Sequence, residues 1–309
     1  MKTAVEEINP IKVKWRRRPK LTGRDEKILS LLGEYGCVSA ERIKAYFWNS
    51  TSTSRAHYRR LGVLRRRGLV ENTIGDRAMT IGYRLTKRGK EVLRNSPAAN
   101  LRPANRRAYK TQFEHDQYLI DLRRILQESP IVKEFKTEAE VRKQLIDSNA
   151  KLLHWENLPH IPDATFSLVM PGQTMRVALE VELTLKNKKR YAKIFRNHLL
   201  ARTWEMVIYV VKDANFRDRL MATLNDIKST DIQVRVASKI NGIYFCTIGE
   251  FLSRRLEVPM TNGKKEISLA KIAENFGLTP KPSTPPPPQE QSLNVLQVGN
   301  SLRNEFKGD

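Results

Sequence analysis

Three acidic residues, Asp163, Glu180 and Glu182, accompany two short apolar segments in the middle of the chain. The segments, residues 164–170 and 175–184, are separated by a Pro-Gly pair and alternate as a β-hairpin does. Side chains two apart on a strand share a face, so Glu180 and Glu182 should lie together, with Asp163 across the pair. Carboxylates bind hard cations, and a bound metal can activate water. The three acids therefore predict a Mg²⁺ or Mn²⁺ site that cuts phosphodiesters.

A solvated strand face is the alternative, since two glutamates on one face often have no other role. The opposite face, with Leu179 and Val181, is apolar and indicates a buried strand, where acids need partners or a metal. The basic segment that follows lacks strand alternation and is predicted to be a helix. Its first part carries Lys186 and Lys189, which are candidates for stabilising the negative charge that develops during cleavage.

Pro162-Asp163, the Glu-Val-Glu-Leu-Thr of residues 180–184 and the basic segment 186–193 together resemble the PD-(D/E)XK nuclease pattern. More narrowly, the chain resembles the replication-relaxation proteins of plasmids and integrative elements, which include the MobC-type relaxases. In that family a winged helix precedes a restriction-endonuclease-like domain that opens with a His-Asp pair, matched here by His115-Asp116. The nuclease pattern has lysine where this chain has Glu182, so Lys186 or Lys189 would have to replace it.

The resemblance, which extends over roughly residues 21–252, implies metal-dependent nicking at an origin of transfer. It makes His115 and Asp116 accessory site residues, although a histidine in the first turn of a helix is more often structural. Tyr191 is the tyrosine nearest in sequence to the acids, and whether a tyrosine forms a covalent link to DNA stays open.

The composition favours a polyanionic partner. The 309 residues include 56 Lys and Arg against 33 Asp and Glu, a net charge of +23, which is most simply explained by nucleic acid. No apolar run is long enough to span a membrane, and the first residues do not form a secretory signal. Cys37 and Cys246 are too few for a disulfide framework or a zinc site. We expect a cytoplasmic, nucleoid- or plasmid-associated protein without a membrane partner.

The front of the chain has the pattern of a winged helix-turn-helix. Three helical segments, beginning near residues 22, 39 and 52, precede two β-type segments at 69–74 and 79–85 and a short helix at 86–93. The third helix would enter the major groove of duplex DNA; a winged helix that docks on protein is the alternative. The candidate DNA contacts are Arg16, Arg17, Arg18, Thr51, Thr53, Arg55, His57, Tyr58, Arg59, Arg65, Arg66, Arg77 and Arg84.

The rest of the chain alternates between helical and extended patterns. Glu134, Glu138 and Glu140 fall on one face of a predicted strand, and one of them could complete the metal site. The other predicted elements are helices at 112–127, 215–227 and 248–252, strands at 204–211, 232–237 and 243–247, and one further helix at 267–276.

The predicted fold class is α+β multidomain, with an N-terminal winged helix-turn-helix followed by an α/β restriction-endonuclease-like domain. We expect a mobile-element protein that binds a specific double-stranded DNA site and nicks it, with relaxosome or transfer proteins docking on the tail. A non-catalytic regulator or replication accessory factor is the main alternative, and an RNA-binding or replication-initiation role is a third. The predicted divisions are a disordered basic arm (1–20), the winged helix (21–93), a linker (94–111), the α/β domain (112–256) and a largely disordered Pro-rich tail (257–309).

Overall fold

The computed structural model describes residues 21–48, 55–74, 81–95, 110–149, 160–200, 204–237 and 242–275. Its front part has the predicted helices and the two predicted strands, with one further short strand, β1, between the first two helices: α1 (Gly23–Tyr35), β1 (Val38–Ser39), α2 (Ala40–Phe47), α3 (Ala56–Arg66), β2 (Val70–Ile74), β3 (Ile81–Leu85) and α4 (Lys87–Arg94). The strands form a three-stranded sheet in the order β1-β3-β2. Thr22, Ser39 and Thr86 cap α1, α2 and α4 by accepting a backbone N–H three residues on, so local sequence determines where these helices begin.

Helix α3 has one buried and one exposed face. His57, Leu61 and Leu64 are buried, and their i, i+4, i+7 spacing places them on one stripe of the helix. The prediction that His57 faces DNA is therefore wrong, because it shares its face with two core leucines. Its ring lies beside Trp48, with centroids 6.1 Å apart. The exposed face carries Arg55, Tyr58, Arg59, Arg65 and Arg66.

Helix α5 (Lys110–Gln127) joins the front part to the rest of the protein. The Gln117 side chain accepts the Ser39 N–H at 2.9 Å and donates to the Cys37 carbonyl at 3.0 Å, so it completes the hydrogen bonding of β1. One turn further on, Arg42 forms an ion pair with Asp121 at 2.7 Å. Apolar residues of the front part and of α5 belong to one continuous core. The front part therefore packs directly on α5.

Replacing Gln117 with leucine should lower the free energy of unfolding by about 3 kcal/mol, because a buried N–H and a buried carbonyl each lose their partner. The measurement is urea denaturation followed by circular dichroism. Gln127→Leu on the same helix is the control. Within the described part of the chain it removes one hydrogen bond, an exposed 3.4 Å contact with Tyr46, so its stability should stay near wild type. Equal stability of the two variants would contradict the assigned role of Gln117.

The second part of the chain forms a mixed seven-stranded sheet. Its strands are β4 (Val132–Thr137), β5 (Ala164–Met170), β6 (Gln173–Glu182), β7 (Met206–Val211), β8 (Gly242–Thr247), β9 (Met260–Thr261) and β10 (Glu266–Ile267), in the order β10-β9-β8-β7-β6-β5-β4. The predicted hairpin is confirmed: β5 and β6 pair antiparallel from Met170↔Gln173 to Ala164↔Leu179, and Gly172 turns with φ +76°. Strand β7 is parallel to both neighbours and buried along its whole length, as its apolar sequence predicts.

The two faces of this sheet bury different residues. One face, with Leu179 and Val181, shares the core of α5 and the front part. The other, with Ala178 and Tyr209, packs under a second set of helices. Besides α5, the helices of this part are α6 (Glu138–Asn149), α7 (Lys188–Leu200), α8 (Ala214–Thr230), α9 (Ile232–Ala237), α10 (Ile248–Arg254) and α11 (Leu269–Glu274).

Residues 132–141, predicted to be a single strand, divide into β4 and the start of α6. The Thr137 N–H and hydroxyl both donate to Glu140 Oε2, at 2.8 and 3.1 Å. Thr-x-x-Glu is the sequence signature of a capping box, and here it outweighs the extended pattern. Glu138 and Glu140 therefore do not share a strand face with Glu134, whose carboxylate accepts a hydrogen bond from the Ser167 hydroxyl.

The strand predicted for residues 232–237 is helix α9. Asp231 Oδ1 accepts the Val234 N–H at 3.2 Å, as an N-cap does, so the chain turns helical directly after α8. Only Val234 of this alternating segment is buried, while Ile232 and Val236 are 70% and 55% exposed. A local cap thus prevails over an alternation that is typical of strands.

The folded chain extends beyond residue 256, where the tail was predicted to begin. Strands β9 and β10 extend the sheet, and Met260, Leu269 and Ala273 join the core. The basic arm with Arg16, Arg17 and Arg18, the positions Thr51, Thr53 and Arg77, most of the predicted linker and the Pro-rich segment lie outside the described residues. Among the described helices, none combines the length and apolarity needed to cross a membrane.

Candidate functional site

A cavity of about 810 Å³ opens where β5 begins and β6 ends. Its lining is rich in groups that titrate, in contrast to the apolar sheet around it. The lining includes Gln112, His115, Glu138, Arg142, His160, Asp163, Glu180, Glu182, Lys186 and Arg190. The three acids predicted from the sequence thus share one cavity.

Asp163 lies at the entrance of β5, where the hairpin register places it beside the end of β6. Its Oδ2 accepts the Val181 N–H at 2.8 Å and lies 3.1 Å from His115 Nε2. The Glu138 N–H donates to the Asp163 carbonyl at 2.8 Å, which ties the start of α6 to the same point. Asp163 is therefore held by backbone and side chain together, with 22% of its side chain exposed to the cavity.

His115 and Asp116 lie in the first turns of α5, and His115 connects that helix to Asp163. His115 Nδ1 lies 3.2 Å from Asp116 Oδ1, which also accepts Gln112 Nε2 at 2.7 Å. Burial lowers the pKa of His115, but the carboxylates of Asp163 and Asp116 outweigh burial and raise this pKa to about 10. The imidazole is therefore charged at neutral pH and forms ion pairs with both aspartates.

Glu180 is buried between two histidines. Its Oε1 lies 2.7 Å from His160 Nε2 and 2.9 Å from His198 Nε2. Burial raises the pKa of Glu180, but the hydrogen bonds with His160 and His198 outweigh burial and lower this pKa to about 2. Conversely, burial lowers the pKa of His160, and Glu180 more than compensates, so the net shift is upward. Glu180 is therefore a carboxylate at any physiological pH.

Glu182 is the third acid, and both of its oxygens have partners. Oε1 forms an ion pair with Lys186 Nζ at 2.6 Å, and Oε2 accepts the Tyr191 hydroxyl at 2.6 Å. The Lys186 N–H in turn donates to the Tyr191 hydroxyl oxygen at 3.1 Å. Glu182 and Tyr191 thus position Lys186 in the cavity. Lys189 is exposed and is not one of the residues that line it.

Tyr191 has a structural role, because its hydroxyl donates a hydrogen bond to Glu182. It is 1% exposed, and burial followed by the hydrogen bond to Glu182 raises its pKa well above the usual range, which disfavours the nucleophilic phenolate. We expect Tyr191→Phe to lower the free energy of unfolding by about 2–3 kcal/mol, because the Glu182 carboxylate loses a donor and the Lys186 N–H loses its acceptor, as measured by urea denaturation. A DNA adduct trapped in wild-type protein and lost in Tyr191→Phe would contradict this placement.

Two kinds of potential metal ligand, carboxylate and imidazole, line or adjoin the cavity, but the predicted acids Asp163, Glu180 and Glu182 do not form a group of three whose donor atoms lie within 4.8 Å of one another. Asp163 and Glu180 supply the oxygens that Mg²⁺ or Mn²⁺ takes, and the engaged Glu182 is better placed to hold Lys186. Among the described residues, the group of three potential ligands whose donor atoms all lie within 4.8 Å of one another is His160, Glu180 and His198.

Neither histidine was singled out from the sequence. His198 follows Tyr191 by seven positions and Phe195 by three, so it lies on the buried stripe of α7, and that spacing was the available signal. His160 precedes Asp163 by three residues in a segment without periodicity, and nothing in the sequence pairs it with His198.

On the front part, the exposed face of α3 contains five of the predicted DNA contacts, as described above. Arg84 on β3 lies next to Glu71 on β2 and forms an exposed ion pair with it at 2.7 Å. Part of the charge of Arg84 is therefore neutralised within the sheet.

Comparison of the chain with protein-family models, with curated proteins and with solved structures gives no match.

Proposed function

We propose that this protein binds double-stranded DNA and cuts one of its phosphodiester bonds with a divalent metal, Mg²⁺ or Mn²⁺. The observation that carries the proposal is the meeting of Asp163, Glu180 and Lys186 in one open cavity. Two carboxylates and an ammonium group are the set that PD-(D/E)XK nucleases, which the sequence resembles, use. The lysine that the pattern has at position 182 would come from Lys186, held four residues further on by Glu182.

The residues have distinct roles in such a site. Asp163 and Glu180 would hold the metal, which supplies Lewis-acid activation of water and of the scissile phosphate. Lys186 would stabilise the negative charge that develops on the phosphate oxygens. Arg142 and Arg190 line the same cavity and would bind the flanking phosphates of the strand. Protonated His115 would keep Asp163 oriented.

The front part would provide the DNA recognition. The order of three helices, a hairpin and a fourth helix supports a winged helix-turn-helix, and the sheet with its flanking helices supports a restriction-endonuclease-like core. The arginine-rich face of α3 would contact the major groove and its phosphates. By resemblance, the DNA would be a specific site of a mobile element, such as an origin of transfer, with other relaxosome or transfer proteins as partners.

A second candidate is a non-catalytic DNA-binding regulator or replication accessory factor. One observation favours it: Asp163, Glu180 and Glu182 each already have a basic partner in the protein, so their charges are compensated without a metal. Such a protein would keep the sheet as a scaffold.

The test has two stages. First, duplexes that bind the full chain are selected from random-sequence DNA. A supercoiled plasmid carrying the selected sequence is then incubated with the protein and Mg²⁺ or Mn²⁺, and conversion to the open circle is measured. We expect nicking that a chelator stops and that Asp163→Asn slows at least about 100-fold, since the metal contributes several kcal/mol. Exposed Asp226→Asn is the control, because Asp226 pairs only with exposed Lys188 among the described residues.

Sequence-selective binding without metal-dependent nicking would overturn the nuclease proposal in favour of the regulator. Binding to neither duplex nor plasmid DNA would overturn both. Nicking that Asp163→Asn leaves unchanged would place the reaction at another site or in a contaminant.

A further inference from the structure

We propose that His160, Glu180 and His198 form a binding site for a divalent transition-metal ion of the Zn²⁺ class, in preference to Mg²⁺. The inference rests on the proposed function for the role of the ion, but it replaces Mg²⁺ with a Zn²⁺-class ion and gives His160 and His198, in place of Asp163, as the ligands beside Glu180. The binding itself follows from the geometry of the three side chains.

The donor atoms converge on one point. His160 Nε2 and His198 Nε2 lie 2.7 and 2.9 Å from the same oxygen, Glu180 Oε1, and the three atoms lie within 4.8 Å of one another. With metal–ligand bonds of about 2.0–2.2 Å, neighbouring ligands are about 2.8–3.1 Å apart in octahedral sites and about 3.3–3.6 Å apart in tetrahedral sites. Small outward shifts of the side chains therefore suffice to admit an ion between them.

The chemistry of the donors selects the ion. Imidazole nitrogen suits Zn²⁺ and other late transition-metal ions, whereas Mg²⁺ prefers oxygen and retains its waters. Two histidines and one carboxylate also leave coordination positions vacant for water or substrate, as catalytic metal sites do. Those positions would open on the cavity, because His160 and Glu180 both line it and 26% of the His160 side chain is exposed.

The surroundings hold the ligands firmly. His198 and Glu180 are 2% and 6% exposed, and the His160 and His198 rings stand edge to face, with centroids 5.0 Å apart. The Tyr209 ring lies 6.2 Å from that of His198, and its buried hydroxyl has no hydrogen-bond partner among the described residues. Cys37 and Cys246 are buried and do not belong to the group.

The test is metal titration of the untagged full chain. Co²⁺ binding is followed by its visible absorption, and Zn²⁺ and Mg²⁺ are added as competitors. We expect one Co²⁺ per chain, displaced by Zn²⁺ and retained in excess Mg²⁺.

His160→Gln should weaken Co²⁺ binding at least about 10-fold, since even outer residues of a metal site contribute that much. His198→Gln should do the same, but it alters a buried side chain, so circular dichroism without metal must first show that it folds. Asp226→Asn is the control for binding to surface carboxylates and should bind as wild type does.

The outcomes separate this inference from the nuclease proposal. Co²⁺ binding that depends on His160 supports the site, whether or not the protein nicks DNA. Lack of Co²⁺ and Zn²⁺ binding, or binding that folded His160→Gln retains at full strength, overturns the inference. If that same protein nicks DNA in Mg²⁺ alone, the nuclease proposal stands, with a metal site whose ligands are all oxygens.

Discussion

Replacing Glu180 with glutamine is expected to slow metal-dependent nicking by at least about 10³-fold. Glu180 is the one residue common to the acid pair with Asp163 and to the group with His160 and His198. An amide keeps the shape of the side chain but removes the charge that draws a cation in, and metal activation is worth several kcal/mol, each 1.36 kcal/mol being about tenfold in rate. The measurement is single-turnover nicking of the selected plasmid.

The same variant should bind DNA with nearly wild-type affinity, because Glu180 is 6% exposed and lies on the sheet rather than on α3. Fluorescence anisotropy with the selected duplex checks this. A thermal melt without metal shows whether the variant keeps its fold. Wild-type nicking by folded Glu180→Gln would exclude Glu180 as a metal ligand and with it the proposed site.

Replacing Arg55, Arg59 and Arg66 together with glutamine is expected to weaken duplex binding roughly 10²- to 10³-fold at 0.1 M salt. These positions are spaced i, i+4 and i+11 on the exposed face of α3, so a DNA backbone along the helix can meet all three. Each phosphate contact contributes about 0.9 to the slope of log affinity against log salt, so the slope should fall by about 2.7.

The matched control removes three exposed cations elsewhere: Arg219, Lys264 and Lys265. It makes the same change in net charge, so it separates a local contact from the general effect of a basic protein. If the two triple variants lose affinity equally, the α3 face is not the DNA-binding surface. In the Arg55, Arg59 and Arg66 triple variant, nicking of a non-specific plasmid at low salt should fall less than duplex binding at 0.1 M salt does.

Several features follow from the sequence alone because they depend on neighbours along the chain. The turn at Gly172 and the alternation around it predict the β5–β6 hairpin and place Glu180 and Glu182 on one face. Thr22, Ser39 and Thr86 mark three helix starts. The same local chemistry begins a helix at Thr137-x-x-Glu140 and at Asp231, where the alternation of residue types predicts a strand.

The tertiary structure alone decided the composition of the site. Along the chain, Glu180 is 20 residues from His160 and 18 residues from His198. His198 reaches Glu180 because α7 packs on the same face of the sheet. Gln117 likewise reaches β1 across 78 residues. Local sequence determines caps, turns and faces through hydrogen bonds within a few residues, whereas such contacts depend on how helices pack on the sheet. The acids and Lys186 were therefore predictable from the sequence, whereas His160 and His198 became assignable only once the sheet and α7 were in place.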